Sequence, residues 1–250
     1  MSEAVERRLW GLLGVVVVLA IWELVVRAGM VDALLTGSPM AIAEEIPDAI
    51  EQGIIGHVLV TLYEWMLGFG LAVAVGVFLG LVAGRSRIWV PFVERWCMFW
   101  LIFPIVALVP LFILWIGIGT ELKILLAFLT ALPSVALNTV EGVRSGSAQY
   151  AALARSFQTG RTRMFLTVIV PGAAPFILAG IRVASGRALL GVVFGELVAS
   201  SQGLGFAINV AGAAFDTNRL MLGIGLLGLI AVIVGKTLEI AERKVHGWTA

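Results

Sequence analysis

Cysteine is all but missing from this chain: Cys97 is the only one in 250 residues. One thiol excludes an internal disulfide and any cysteine-pair metal clip, and Cys97 lies in an apolar run where packing accounts for it. Histidine is nearly as scarce. His57 and His246 are far apart, with no H-E-x-x-H spacing, so a hydrolytic metal centre has no ligand set. Charge is the third shortage: 13% of residues are charged, where an ordinary soluble domain has about a quarter. The net charge of +1 offers no field that would gather nucleic acid or an acidic partner. Apolar side chains fill the remainder, 60% of the total with a mean hydropathy of +1.03, a composition that belongs in lipid.

Six apolar runs have membrane-spanning length, at about 10–27, 57–84, 91–116, 122–138, 175–199 and 220–241. They are continuous and do not alternate, so they read as helices that satisfy their own backbone, not as barrel strands. The expected fold is an all-α integral membrane protein of one domain, 1–250. The first run follows Arg7 and Arg8 as a secretory leader would, but ends in Trp22, Glu23, Val25, Val26 and Arg27 with no small-residue cleavage site. An uncleaved first helix is expected.

Basic residues mark the cytoplasmic side of such a chain. Arg7 and Arg8 precede the first run; Arg85, Arg87 and Arg95 separate the second from the third; Arg144, Arg155, Arg161 and Arg163 separate the fourth from the fifth; Lys236, Arg243 and Lys244 end the sixth. These are most of the 17 basic residues, and six crossings put them all on one face with both termini cytoplasmic. The opposite connections carry Asp32, Glu44, Glu45, Asp48, Glu51, Glu121 and Asp216.

Two connections are long. The outer one holds Ser38-Pro39, a cap and a first-turn proline, then Met40 to Ile46 before Pro47 interrupts, which reads as a short surface helix. The inner one, 139–172, contains Ala151, Ala152, Leu153, Ala154, Phe157 and Phe165, an amphipathic helix that either lies along the headgroups or docks a partner.

Small residues at every fourth position, Gly68, Ala72, Gly76, Gly80 and Gly84, form one ridge suited to close helix packing, within the subunit or across a dimer. Gly223, Gly225 and Gly228 spell G-x-G-x-x-G inside an apolar helix, where a dinucleotide cannot be held. Gly235-Lys236-Thr237 resembles the end of a phosphate loop, but Ile230 stands where its first glycine belongs. No ATP site is expected in this chain.

Ionisable groups in a bilayer are costly, so each is a functional candidate. Arg182 is expected to snorkel to the cytoplasmic surface. Arg187, near the middle of the fifth run, has no such escape; structural pairing and lining of a pathway are both open for it. Glu196 lies nine residues on, roughly 180° around a straight helix, so the two cannot share one stripe. Glu64 is a further intramembrane acid. Pro104 and Pro110 each remove a backbone donor from the third run, which either kinks it for packing or borders a pathway. A single-chain secondary transporter fits some of this, but such proteins usually show internal repeats and no convincing repeat is present.

Longer runs carry a resemblance: FPIVALVPLFILWIGIG over 103–119, the stretch from Pro133 through Asn138-Thr139 to Gly142-Val143-Arg144, and GIRVASGRALLGVVFGEL over 180–197 followed by Gly203-Leu204-Gly205. With these the chain resembles permeases of binding-protein-dependent ABC importers, in the branch serving nitrate, sulfonates and taurine, over nearly its whole length. The resemblance implies a bacterial inner-membrane homodimer with a pathway between its two copies, Pro104, Pro110, Arg187 and Glu196 being pathway candidates. It also implies two ATPase subunits that bind ATP and Mg, and an extracytoplasmic binding protein that delivers a small anion. This chain itself would hold no cofactor and do no chemistry. The family's coupling segment reads Glu-Ala-Ala, three residues, then Gly. Here Ala152, Leu153 and Ala154 stand at the first three places and Gln158 at the glycine, while Arg155, Ser156, Phe157 and Val170-Pro171 fit. The ATPase-docking residues so implied are Ala152, Leu153, Ala154, Arg155, Phe157, Gln158, Gly160 and Arg161. Lacking the glutamate, the segment would grip through Leu153, Phe157 and the arginines.

Overall fold

A computed structural model describes residues 3–156 and 160–246, and among them every regular element is helical. In order these are α1 (Glu3–Arg27), α2 (Ala33–Thr36), α3 (Pro39–Glu51), α4 (Ile54–Gly84), α5 (Trp89–Ile102), α6 (Val109–Ile116), α7 (Thr120–Ser156), α8 (Arg161–Met164), α9 (Val170–Val198), α10 (Leu204–Ala213) and α11 (Thr217–His246). Among the described residues, four stretches are long and apolar enough to cross a membrane: Ile54–Gly84, Thr120–Gly146, Thr162–Val198 and Thr217–Arg243. Trp89–Ile102 and Ile105–Ile116 supply a fifth if they are taken as one span bent by 80°. The first apolar run lies in α1, whose side chains from Leu13 to Ile21 are exposed.

α7 is the centre of the bundle, with α4 packed on one side and α9 on the other. The ridge on α4 is what allows this: Gly68, Ala72, Gly76 and Gly80 are all buried. A Cβ added at Gly76 would lie 2.7 Å from Val135 Cβ, and one at Gly84 would lie 2.6 Å from Val143 Cβ. The ridge is therefore used inside the subunit. On the other side of α7, Gly180 meets Asn138 and Gly191 meets the Leu126 carbonyl at 2.7 Å in the same sense. Ala127, Ala131, Val135, Ala184, Ala188 and Val192 fill the seam completely. Small residues in place of large ones bring the backbones together, which is how helices associate where lipid is as apolar as leucine.

Several boundaries differ from the sequence expectation. The fourth helix passes through Pro133 and continues past Asn138 to Ser156; Gly142, which could loosen it, is held against Phe176 and Ala173 of α9. The next span has begun by Thr162 and passes through a π-helical turn, Phe165–Ile169, so 139–172 is mostly helix. Pro47 does not end α3, since it is exposed and water can serve the carbonyl it frees. Ser38 does cap that helix, accepting from Ala41 N–H at 3.2 Å. Arg182 pairs with Glu242 of α11 while its side chain stays 45% exposed.

Candidate functional site

One face of α9 is left uncovered. Val183, Gly186, Leu190, Phe194 and Val198 recur at helical spacing and all are exposed. Arg187 sits at the edge of this stripe, half-buried, its carbonyl accepting from Thr130 Oγ1 at 3.0 Å. Among the described residues its guanidinium has neither an ion-pair nor a hydrogen-bond partner. An unpaired cation beside an open helix face is available to solvent, lipid, a second chain or an anionic solute.

Glu196, nine residues further on, faces the opposite way and is fully buried. It belongs to a polar junction at the end of the bundle where α4 and α7 begin and α9 finishes. Glu196 Oε1 accepts from Thr61 Oγ1 at 2.7 Å, and Oε2 accepts from Gly205 N–H at 2.7 Å. Thr61 Oγ1 in turn accepts from Leu204 N–H at 2.8 Å, and His57 Nδ1 accepts from Gly203 N–H at 3.0 Å. Lys123 Nζ lies 2.5 Å from Glu64 Oε1 and donates to Ser200 Oγ at 3.0 Å. Glu64, Lys123 and Glu196 thus place two carboxylates and one ammonium in a region with almost no exposure. The glycines are needed for contact as well as for the turn. Gly203 has φ +104, and a Cβ on Gly205 would fall 2.7 Å from both Glu196 Cβ and the Val193 carbonyl.

Sequence reading found Glu64 and Glu196 but missed Lys123, Thr61 and Ser200, and set His57 aside. One signal was present: Lys123 stands just inside an apolar run, where an unpaired ammonium is untenable, so it required a carboxylate such as Glu64.

The prolines of the third run behave differently from each other. Pro104 lies at the break between α5 and the 3₁₀ turn Ile105–Leu108, where the 80° bend occurs. Pro110 is in the first turn of α6, a place where its missing donor frees no carbonyl. Both are exposed. Of the coupling residues, Ala152, Leu153, Ala154 and Arg155 are on the last turns of α7 and Arg161 opens α8, with exposed Gly160 just before it. Phe157 and Gln158 lie outside the described residues.

Comparison with known proteins follows the same lines. Residues 73–239 match the family described as "Binding-protein-dependent transport system inner membrane component". A Bacillus subtilis protein named as an aliphatic sulfonates transport permease, SsuC, is 34% identical over 239 residues, covering 95% of this chain and 87% of its own. The taurine transport system permease protein TauC of Escherichia coli is 30% identical over 242 residues, covering 93% and 86%. Among solved structures, the MetNI methionine ABC transporter in an inward-facing conformation gives a TM-score of 0.63 at 16% identity, over 81% of this chain and 98% of that one.

Proposed function

Because the chain belongs to the inner membrane components of binding-protein-dependent transport systems, we propose the solute it carries and the assembly in which it works. It is a permease of an ATP-driven importer, a transport subunit and not an enzyme. The solute is a small anion or a zwitterion that carries an anionic group: a sulfonate, nitrate or taurine. The observation that carries this is the 34% identity along nearly the whole chain to a permease named for aliphatic sulfonates. The open Arg187 beside the exposed α9 stripe supports the same charge preference.

In this reading six helices cross the bacterial inner membrane, α1 and the bent α5–α6 pair included, with both termini cytoplasmic. Two copies face each other across a path bordered by Arg187 and by the exposed prolines Pro104 and Pro110, and Glu196 anchors the outer end of that path. The segment from Ala152 to Arg161 docks on an ATPase subunit that binds ATP and Mg, so hydrolysis occurs on a separate chain. A binding protein delivers solute to the outer face, and nucleotide closure alternates access as a rigid-body switch.

Gentle solubilisation of the tagged chain from its native cells, followed by counting what co-purifies, tests the assembly. An ATP-binding subunit in equal number is expected, and ATP-dependent uptake of taurine or an alkyl sulfonate by the reconstituted complex tests the solute. A chain that comes out alone and transports in ATP-free vesicles overturns the importer reading.

A further inference from the structure

The turn between α9 and α10 is gripped from three spans. Gly203, Leu204 and Gly205 open α10 with three consecutive backbone N–H groups, and each has its own side-chain acceptor: His57 Nδ1, Thr61 Oγ1 and Glu196 Oε2. Helix N-termini are ordinarily capped by a residue of their own first turn. Here two of the three caps come from α4, more than 140 residues away in the chain. Lys123 of α7 reaches the same turn through Ser200. Between these bonds, Leu204 is fully buried in an apolar group that includes Leu189 and Ile230, with Val58 and Leu62 packed against it.

α10 also lies beside the uncovered face of α9. Asn209 Nδ2 donates to the Leu197 carbonyl at 2.7 Å, which sets the exposed side of α10 next to Val198, where the stripe ends. The turn thus stands at one end of the stripe that borders the path in the reading above. Directional bonds in a water-poor site are either made or broken, which suits a two-state element better than a sliding apolar contact does.

We infer that His57, Thr61 and Glu196 are positioning residues of an outer latch: they hold the Gly203–Gly205 turn and α10 against α4, and release of that turn accompanies opening of the path on its outer side. This rests on the permease reading. Thr61 is the keystone, because its hydroxyl joins Glu196 to Leu204 and its backbone is on the other span.

The test uses the complete transporter in nanodiscs and reads ATP hydrolysis with neither binding protein nor solute present. T61V keeps the shape of the side chain and removes its hydroxyl; if the latch restrains the cycle, idle hydrolysis rises about fivefold, the shift that one net hydrogen bond commands. T61S returns it to the wild-type value. A residue that only supports the fold gives the opposite sign, so unchanged or lower hydrolysis in T61V overturns the latch. Wild-type material without any ATP-hydrolysing subunit counts against the permease reading instead, and is distinguished before either variant is made.

Discussion

Lys123 and Glu64 form an ion pair of 2.5 Å between α7 and α4 whose side chains are 5% and 0% exposed. Neither group has a route to water, so each is tolerable only because of the other. The second carboxylate, Glu196, is held by the Thr61 hydroxyl and by the Gly205 N–H, and the pair and the turn stabilise one end of the bundle together.

Breaking that pair from one side leaves an uncompensated buried charge. K123M is expected to destabilise the protein by about 3 kcal/mol, and the double variant E64Q/K123M to recover most of the loss. Thermal unfolding of the two variants in the same detergent measures the difference. Equal midpoints for single and double variants would show that the charges do not depend on each other.

The glycine ridge makes a paired prediction. G76A places a Cβ 2.7 Å from Val135 Cβ and 2.9 Å from its Cγ1 and is expected to cost about 1–3 kcal/mol, with V135A in the same chain removing only the Cγ1 contact and so relieving part of it. G225A meets nothing within 4 Å and is expected to be neutral or to gain up to about 1 kcal/mol from helix propensity. Both are read as yield and midpoint of the folded protein. A harmless G76A would mean that α4 and α7 are not in the contact described.

Arg187 carries the preference for anions in the proposed path. R187Q should reduce uptake of taurine or an alkyl sulfonate about tenfold, equivalent to about 1.4 kcal/mol, with R187K intermediate. Unaltered uptake of every anion tested in R187Q removes Arg187 from the path.

Docking is tested at Phe157. F157D would put a carboxylate into an apolar groove and should abolish coupling to the ATPase while membrane insertion stays normal. The readouts are co-purification of the ATPase subunit and solute uptake. Normal values for both place the docking site elsewhere.

Composition and run length alone were sufficient for the helical membrane class, because a bilayer imposes one requirement on every residue of a span and that requirement is visible locally. The same is true of the ridge from Gly68 to Gly84: a four-residue spacing is a property of one helix, whatever it packs on. The partner of that ridge, α7, is not, since the sequence admits a second copy equally well. Helix ends at Asn138 and Pro47 were misread because a polar or proline residue stops a helix only where its backbone groups cannot be satisfied otherwise, and neighbours decide that.

Glu64 and Glu196 announced themselves as intramembrane acids, one residue at a time. Their meeting with Lys123, Thr61, His57 and the Gly203–Gly205 turn could not be read from spacing, because those groups come from α4, α7, α9 and the α10 turn, up to 146 positions apart. By itself the sequence determined that the chain lives in lipid as helices and which of its groups could not be left there alone. Only the tertiary structure decided who answers each of them, since a hydrogen bond or ion pair depends on distance in space, and distance along the chain carries no record of it.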